Sequence, residues 1–154
     1  AERHRRGKGP GQIVMASLAN LPKLEVLTAN TRDCRQPCVS PNGTLVVFQE
    51  DMGNDVWKLI EMNIETRREK TVVLGTDATY SYDGRYLVYS GTTGRLRVHD
   101  LVTDGNKTVH VETPYSGAPS FSPDGKKIAY EGASGVGAGN DNGPPSSIYI
   151  TDAP

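Results

Sequence analysis

The chain has 154 residues, with 17 basic and 18 acidic side chains and a formal charge of −1. That balance excludes the clustered positive field of a broad nucleic-acid footprint, and no apolar run approaches the ~20 residues of a membrane-spanning helix. Hydrophobic residues make up only 36% of the chain, beside 17 glycines and 10 prolines, a composition that suits many short strands joined by polar turns.

Residues 1–11 carry Arg3, His4, Arg5, Arg6 and Lys8 among three glycines, which reads as a flexible basic arm. It is either a solvated tail or an arm for an acidic partner. The chain opens at Ala1 with no apolar signal-peptide core, which fits processing and a segment of a longer chain equally. Two strand-like runs follow, 13–18 and 24–27. Cys34 and Cys38 then stand four apart. They read either as a local disulfide, which implies an oxidising compartment, or as two separate packed thiols. A zinc site would need two more ligands, and the only histidines are His4, His99 and His110.

From here the chain repeats. Ser40-Pro41-Asn42-Gly43, Ser81-Tyr82-Asp83-Gly84 and Ser122-Pro123-Asp124-Gly125 are 41 residues apart, and so are the aromatics Phe48, Tyr89 and Tyr130. Each phrase is a turn: the short polar side chain caps it, and glycine takes the positive φ that lets the chain reverse. Each turn is followed by a nearly continuous apolar run, 45–48, 86–89 and 128–130, which marks a strand buried on both faces. In the first unit the spacing predicts strands at 36–40, 44–49, 56–63 and 70–74. In the second it predicts 78–81, 86–90, 96–100 and 107–112. In the third it predicts 119–122, 127–131 and 147–152, with a glycine-rich insertion at 132–145. No helix of consequence is expected.

A period in the low forties filled with strands is the signature of β-propeller blades. The fold class expected is therefore all-β, with blades of four antiparallel strands. After the arm, residues 12–154 divide into a partial blade at 12–31, blades at 36–75 and 77–113, and a partial blade at 117–154. About three blades cannot close a ring, since closed propellers have roughly 4–8. The expectation is a segment of a longer propeller, or a half that meets a second copy or a different subunit.

Catalytic patterns are absent from the sequence. Ser134 lacks the flanking glycine of a nucleophile elbow. The stretch 135–140 narrowly misses a dinucleotide fingerprint, and residues 105–108 form a turn into a strand, not a phosphate loop. No enzyme activity, metal or cofactor is expected. Binding is expected on loops, which carry function on rigid β scaffolds. The candidates are Gly135, Asn140, Asp141 and Asn142 in the insertion, with Asp51 and Asp55 in the acidic stretch between the second and third strands. These oxygen-rich stretches are either calcium ligands or plain polar turns; neither matches the twelve-residue calcium loop. Trp57, the single tryptophan, is expected to pack between blades. Asn42-Gly43-Thr44 and Asn106-Lys107-Thr108 have the form of glycosylation sequons in turns.

The stretch Pro119-Ser120-Phe121-Ser122-Pro123-Asp124-Gly125-Lys126-Lys127-Ile128-Ala129-Tyr130 resembles the TolB-type, WD40-like propeller repeat, and Ser147-Ile148-Tyr149-Ile150-Thr151-Asp152 resembles its third-strand ending. The resemblance covers roughly residue 13 onward. It implies a periplasmic or extracellular scaffold or protein-binding module, a subunit or segment of a larger assembly. The same repeat is also found in the non-catalytic propellers of peptidases and in carbohydrate lyases, so that reading stands beside the first, as does a calcium-dependent ligand-binding propeller.

Overall fold

The computed structural model describes residues 9–17, 23–134 and 145–154. Among these residues there are thirteen strands and no helix. The strands are β1 (Val14–Ala16), β2 (Leu24–Val26), β3 (Cys34–Val39), β4 (Leu45–Asp51), β5 (Trp57–Asn63), β6 (Glu69–Leu74), β7 (Thr76–Tyr80), β8 (Tyr86–Ser90), β9 (Leu96–Asp100), β10 (Gly105–Thr108), β11 (Tyr115–Phe121), β12 (Lys127–Ala133) and β13 (Ser147–Asp152). They form four antiparallel sheets of consecutive strands: β1-β2, β3-β4-β5-β6, β7-β8-β9-β10 and β11-β12-β13. The expected all-β, incomplete propeller is what the chain forms.

The repeated turn is built the same way three times. Serine Oγ donates to the Asx carboxyl or amide oxygen two residues on: Ser40 to Asn42 at 2.7 Å, Ser81 to Asp83 at 2.6 Å, Ser122 to Asp124 at 2.6 Å. The same oxygen accepts the amide five residues on, at 2.9 Å in each case, from Leu45, Tyr86 and Lys127. Gly43, Gly84 and Gly125 sit at φ 74°, 73° and 70°, which an L side chain seldom adopts. Tyr82, in place of proline, does not alter this geometry.

Stacking of the sheets creates three cores in series. Ile13, Cys34, Val46, Phe48, Ile60 and Met62 fill the space between the first two sheets. Val47, Leu59, Ala78, Tyr80, Leu87 and Tyr89 fill the next. Val88, Leu96, Val98, Val109, Ile128 and Tyr130 fill the last. Adjacent residues of one strand thus serve opposite cores: Val46 and Phe48 point to the first, Val47 to the second. This is why these runs lack alternation. The outermost strands β6 and β10 are largely exposed, and each begins with polar, charged or small residues.

The strand bounds need correction. The inner strands begin earlier than the hydrophobic pattern indicates, and β10 occupies 105–108, so Val109 lies beyond it and packs into the third core. Of the two readings of Cys34 and Cys38, the structure has two separate thiols, Cys34 buried and Cys38 half-buried. A β-bulge separates them: Arg35 pairs with Gln49 and Cys38 with Val47, so residues 36 and 37 together oppose one residue. That extra residue reverses side-chain parity. Cys34 therefore enters the first core while Cys38 packs against the second, on the opposite face of the sheet.

Candidate binding surface

The same bulge recurs in every inner strand. Register shifts fall between Arg35 and Cys38, between Thr76 and Thr79, and between Gly117 and Ser120, each 41 residues from the last. At the centre of each stands an L residue in the left-handed region: Gln36 at φ 50°, Asp77 at 57° and Ala118 at 44°. Each such residue costs on the order of 1–2 kcal/mol and persists only where its surroundings dictate it. Pro37 and Pro119 follow two of them, at bulge positions where the missing N–H costs no ladder bond.

The three bulges face a common groove of about 430 Å³, lined by residues 36–38, 77–79 and 118–120. Polar ties hold its wall together across the sheets. The Asp77 amide donates to the Gln49 side-chain oxygen at 3.1 Å, and Thr79 Oγ1 donates to the Pro119 carbonyl at 3.0 Å. Ser90 Oγ reaches the Ser116 carbonyl at 3.3 Å, and Ser116 Oγ the Gly94 carbonyl at 3.0 Å. Tyr80 Oη donates to Glu61 at 2.8 Å. Burial, and then the Glu61 carboxylate, push the Tyr80 phenol far above its usual range, so it stays a donor. The groove thus presents a rigid floor with Gln36, Asp77, Cys38 and Ser120 as polar features.

Of the anticipated loop residues, Asp51 and Asp55 do not line the groove. Asp51 ends β4, and its Oδ1 accepts the Gly53 amide at 2.7 Å; Asp55 is exposed at the hairpin tip with φ 61°. Next to them, Glu50 is held by Arg32 at 2.6 Å and Lys58 at 3.3 Å. Burial pushes the Glu50 carboxyl up, but those two cations outweigh it and hold it below its usual value. Arg32 also bonds Glu69 at 2.8 Å. This stretch is a hairpin tied by salt bridges, and among the described residues no group of three or more His, Cys, Asp or Glu converges to hold a metal. Gly135, Asn140, Asp141 and Asn142 lie outside the described residues. Ala133 and Ser147, which bracket their segment, lie at the same end of the sheets as the β4–β5 hairpin, opposite the repeated turns. Trp57 is half-buried, with the Arg35 guanidinium 5.4 Å over its ring.

Gln36, Asp77 and Ala118 share no chemistry, which is why the sequence does not advertise them. The one signal was proline inside a predicted strand at 37 and 119, a mark of a bulge.

Stacked four-stranded meanders around a shared inner edge define the class: a segment of a β-propeller. Neither a protein-family model nor a curated protein sequence matches the chain. Among solved structures it is similar to TolB from Acinetobacter baumannii, at 22% identity and TM-score 0.70, covering 92% of this chain and 38% of that one. It is similar to a putative TolB from Agrobacterium tumefaciens at 17% identity and TM-score 0.68, covering 84% and 48%. It is also similar to the β-propeller domain of the Trilobed protease from Pyrococcus furiosus, at 16% identity and TM-score 0.60, covering 79% and 39%. The fold is that of a TolB-type, WD40-like propeller in part, and the chain spans less than half the length of each of these structures.

Proposed function

We propose that this chain is a non-enzymatic propeller scaffold that binds a protein partner outside the cytoplasm, as a subunit or segment of a larger assembly. The observation that carries the reading is the inner-strand groove, where three strained backbone positions recur at one spacing and meet at one surface. Strain of this kind collects at binding surfaces, and the groove offers hydrogen-bonding groups. Likeness to TolB supports the scaffold role and the extracytoplasmic location. The test is a photo-crosslinking residue placed at Ser120, in the groove, or at Val102, exposed in the β9–β10 loop. In a cell-envelope extract Ser120 is expected to trap one discrete protein and Val102 none. Equal trapping at both, or none at Ser120, defeats the reading.

A second reading, the non-catalytic propeller part of an enzyme, is favoured by the likeness to the protease's propeller domain. It predicts a catalytic domain in the same polypeptide, so the complete reading frame decides it.

A further inference from the structure

The second repeat departs from the other two in a way that its fold does not use. Tyr82 stands where the other phrases have Pro41 and Pro123, yet the turn closes with the same bonds. The tyrosine is 75% exposed. Tyr86, four residues on, holds the place of Leu45 in the first unit. The turns nest along the stack: a side chain added at Gly84 would come within 3.6 Å of the Pro41 ring, and Tyr82 lines one groove with Gly125. That groove, of about 230 Å³, is walled by Tyr82, Asp83 and Tyr86 on one side and Phe121, Pro123 and Asp124 on the other. It lies between two sheets already stacked on each other, and it shares no lining residue with the inner-strand groove.

Rings and carboxylates thus face one space. Asp83 Oδ1 accepts the Ser81 hydroxyl and the Arg85 amide; Asp124 Oδ1 accepts the Ser122 hydroxyl and the Lys126 amide. The Oδ2 atom of each takes none of these bonds. The same donors hold both carboxyls below their ordinary values, so both are anionic at neutral pH. Among the described residues, none that lines the groove is basic. Nearby Arg85 pairs with Asp100, and Lys127 with Asp152.

A ring beside a carboxylate is how this protein holds its own guanidinium groups. Arg32 lies 5.9 Å from the Phe48 ring centre and bonds Glu50 and Glu69. Arg35 lies 5.4 Å from the Trp57 ring centre and bonds Asp33. Arg85 lies 5.0 Å from the Tyr86 ring centre and bonds Asp100. The groove offers that combination again, with no arginine supplied from its own walls.

We infer that the groove between the second and third repeated turns binds an arginine side chain of a partner protein, with the rings as its stacking surface and Asp83 and Asp124 as its counter-ions. A planar guanidinium both stacks on aromatic faces and forks to carboxylate oxygens, which a compact ammonium does less well. Pockets for drug-sized ligands hold about 300–1,000 Å³, so this smaller groove suits a single side chain. In the first unit the places of Tyr82, Asp83 and Tyr86 are held by Pro41, Asn42 and Leu45, which close the same turn without a ring or a charge. The repeat itself therefore supplies substitutions that the turn accommodates.

Titrating N-acetyl-arginine methylamide into the isotope-labelled full chain, followed by amide NMR, tests this. Saturable shifts are expected at residues 82–86 and 121–125, weakening as salt is added. The uncharged isostere N-acetyl-citrulline methylamide should bind at least tenfold more weakly, and N-acetyl-lysine methylamide several-fold more weakly. Tyr82→Pro and Asp83→Asn should each weaken binding several-fold with circular dichroism unchanged. Absence of a saturable shift, equal affinity for the citrulline compound, or undiminished binding by both variants overturns the inference. Should a variant unfold, the citrulline comparison on the wild type still decides. Free arginine binding tenfold better than the blocked form would make the ligand an amino acid and overturn the partner assignment. Replacing Arg3, Arg5 and Arg6 by glutamine should leave the titration unchanged; a marked gain in affinity would give the groove to the chain's own arm instead. Trapping at Ser120 is read separately and bears only on the inner-strand groove.

Discussion

Leu87 offers the sharpest test of the stacked arrangement. It is fully buried in the middle core, between the two four-stranded sheets. Truncation to alanine removes about three methylene-equivalents, about 2.4 kcal/mol at ~0.8 kcal/mol each. The sheets on both sides are hydrogen-bonded and cannot collapse into the void, so a cavity contribution raises the expected loss to about 3–4 kcal/mol. A domain of this size has roughly 5–15 kcal/mol in total, so Leu87→Ala should bring the urea midpoint down sharply without abolishing folding. Trp57, in the neighbouring sheet, reports the transition by fluorescence, and far-UV circular dichroism reports it independently. Val46→Ala and Ile128→Ala probe the equivalent position in the first and third cores, where both residues are buried. The isoleucine should behave like Leu87 and the valine should cost less. A loss under about 1 kcal/mol for Leu87→Ala would refute the claim that one sheet seals the flank of the next.

Further outcomes follow from the turns, the bulges and the thiols. Ser81→Ala removes a hydroxyl that bonds both Asp83 and the Tyr86 amide, and should cost about 1 kcal/mol in urea unfolding; a neutral result would mean the turn does not rely on it. The Ser81 hydroxyl, with the Arg85 amide, holds the Asp83 carboxyl below its ordinary value. A depressed folded pKa gives stability that is present above the unfolded value near ~4 and lost as pH falls through the folded one. Ser81→Ala should therefore flatten the acid limb of a melting-temperature profile, and an unchanged limb would count against this. Ala118→Gly relieves a left-handed alanine and should raise stability by about 0.5–1 kcal/mol despite the freer unfolded chain; a fall would show that the bulge is not strained. Cys38 should react with a thiol reagent in the folded protein while buried Cys34 waits for unfolding. Burial pushes the Cys34 thiol up, which slows it further. A Cys34–Cys38 linkage in a peptide map would contradict the opposite-face placement.

The repeat was legible because its turn depends on particular chemistry. Serine, Asx and glycine at fixed places are the side chains that can close that hydrogen-bond ring, so they survive as a readable phrase. The doubly buried strands were legible for a similar reason: Leu45 to Phe48 has no polar face to offer water. The bulges were not legible, because what recurs there is a backbone angle that Gln36, Asp77 and Ala118 all adopt under pressure from their neighbours. The choice between the two readings of the cysteines turned on the same feature. In an unbroken strand residues four apart share a face, and the inserted residue at 36–37 turns Cys38 away from Cys34. In the acidic stretch at 50–55, sequence could not show that Arg32 and Lys58 bind Glu50.

The inserted residue has an effect that reaches past its own strand. Because parity flips halfway along, positions that would share a face in an unbroken strand point to different neighbouring sheets, as Cys34 and Cys38 do. Removing a single residue there would exchange those neighbours wholesale, whereas lengthening a hairpin tip would leave them alone. What this architecture must keep intact from one unit to the next is therefore the count between residues, and the identity of the side chain in the middle is free to drift.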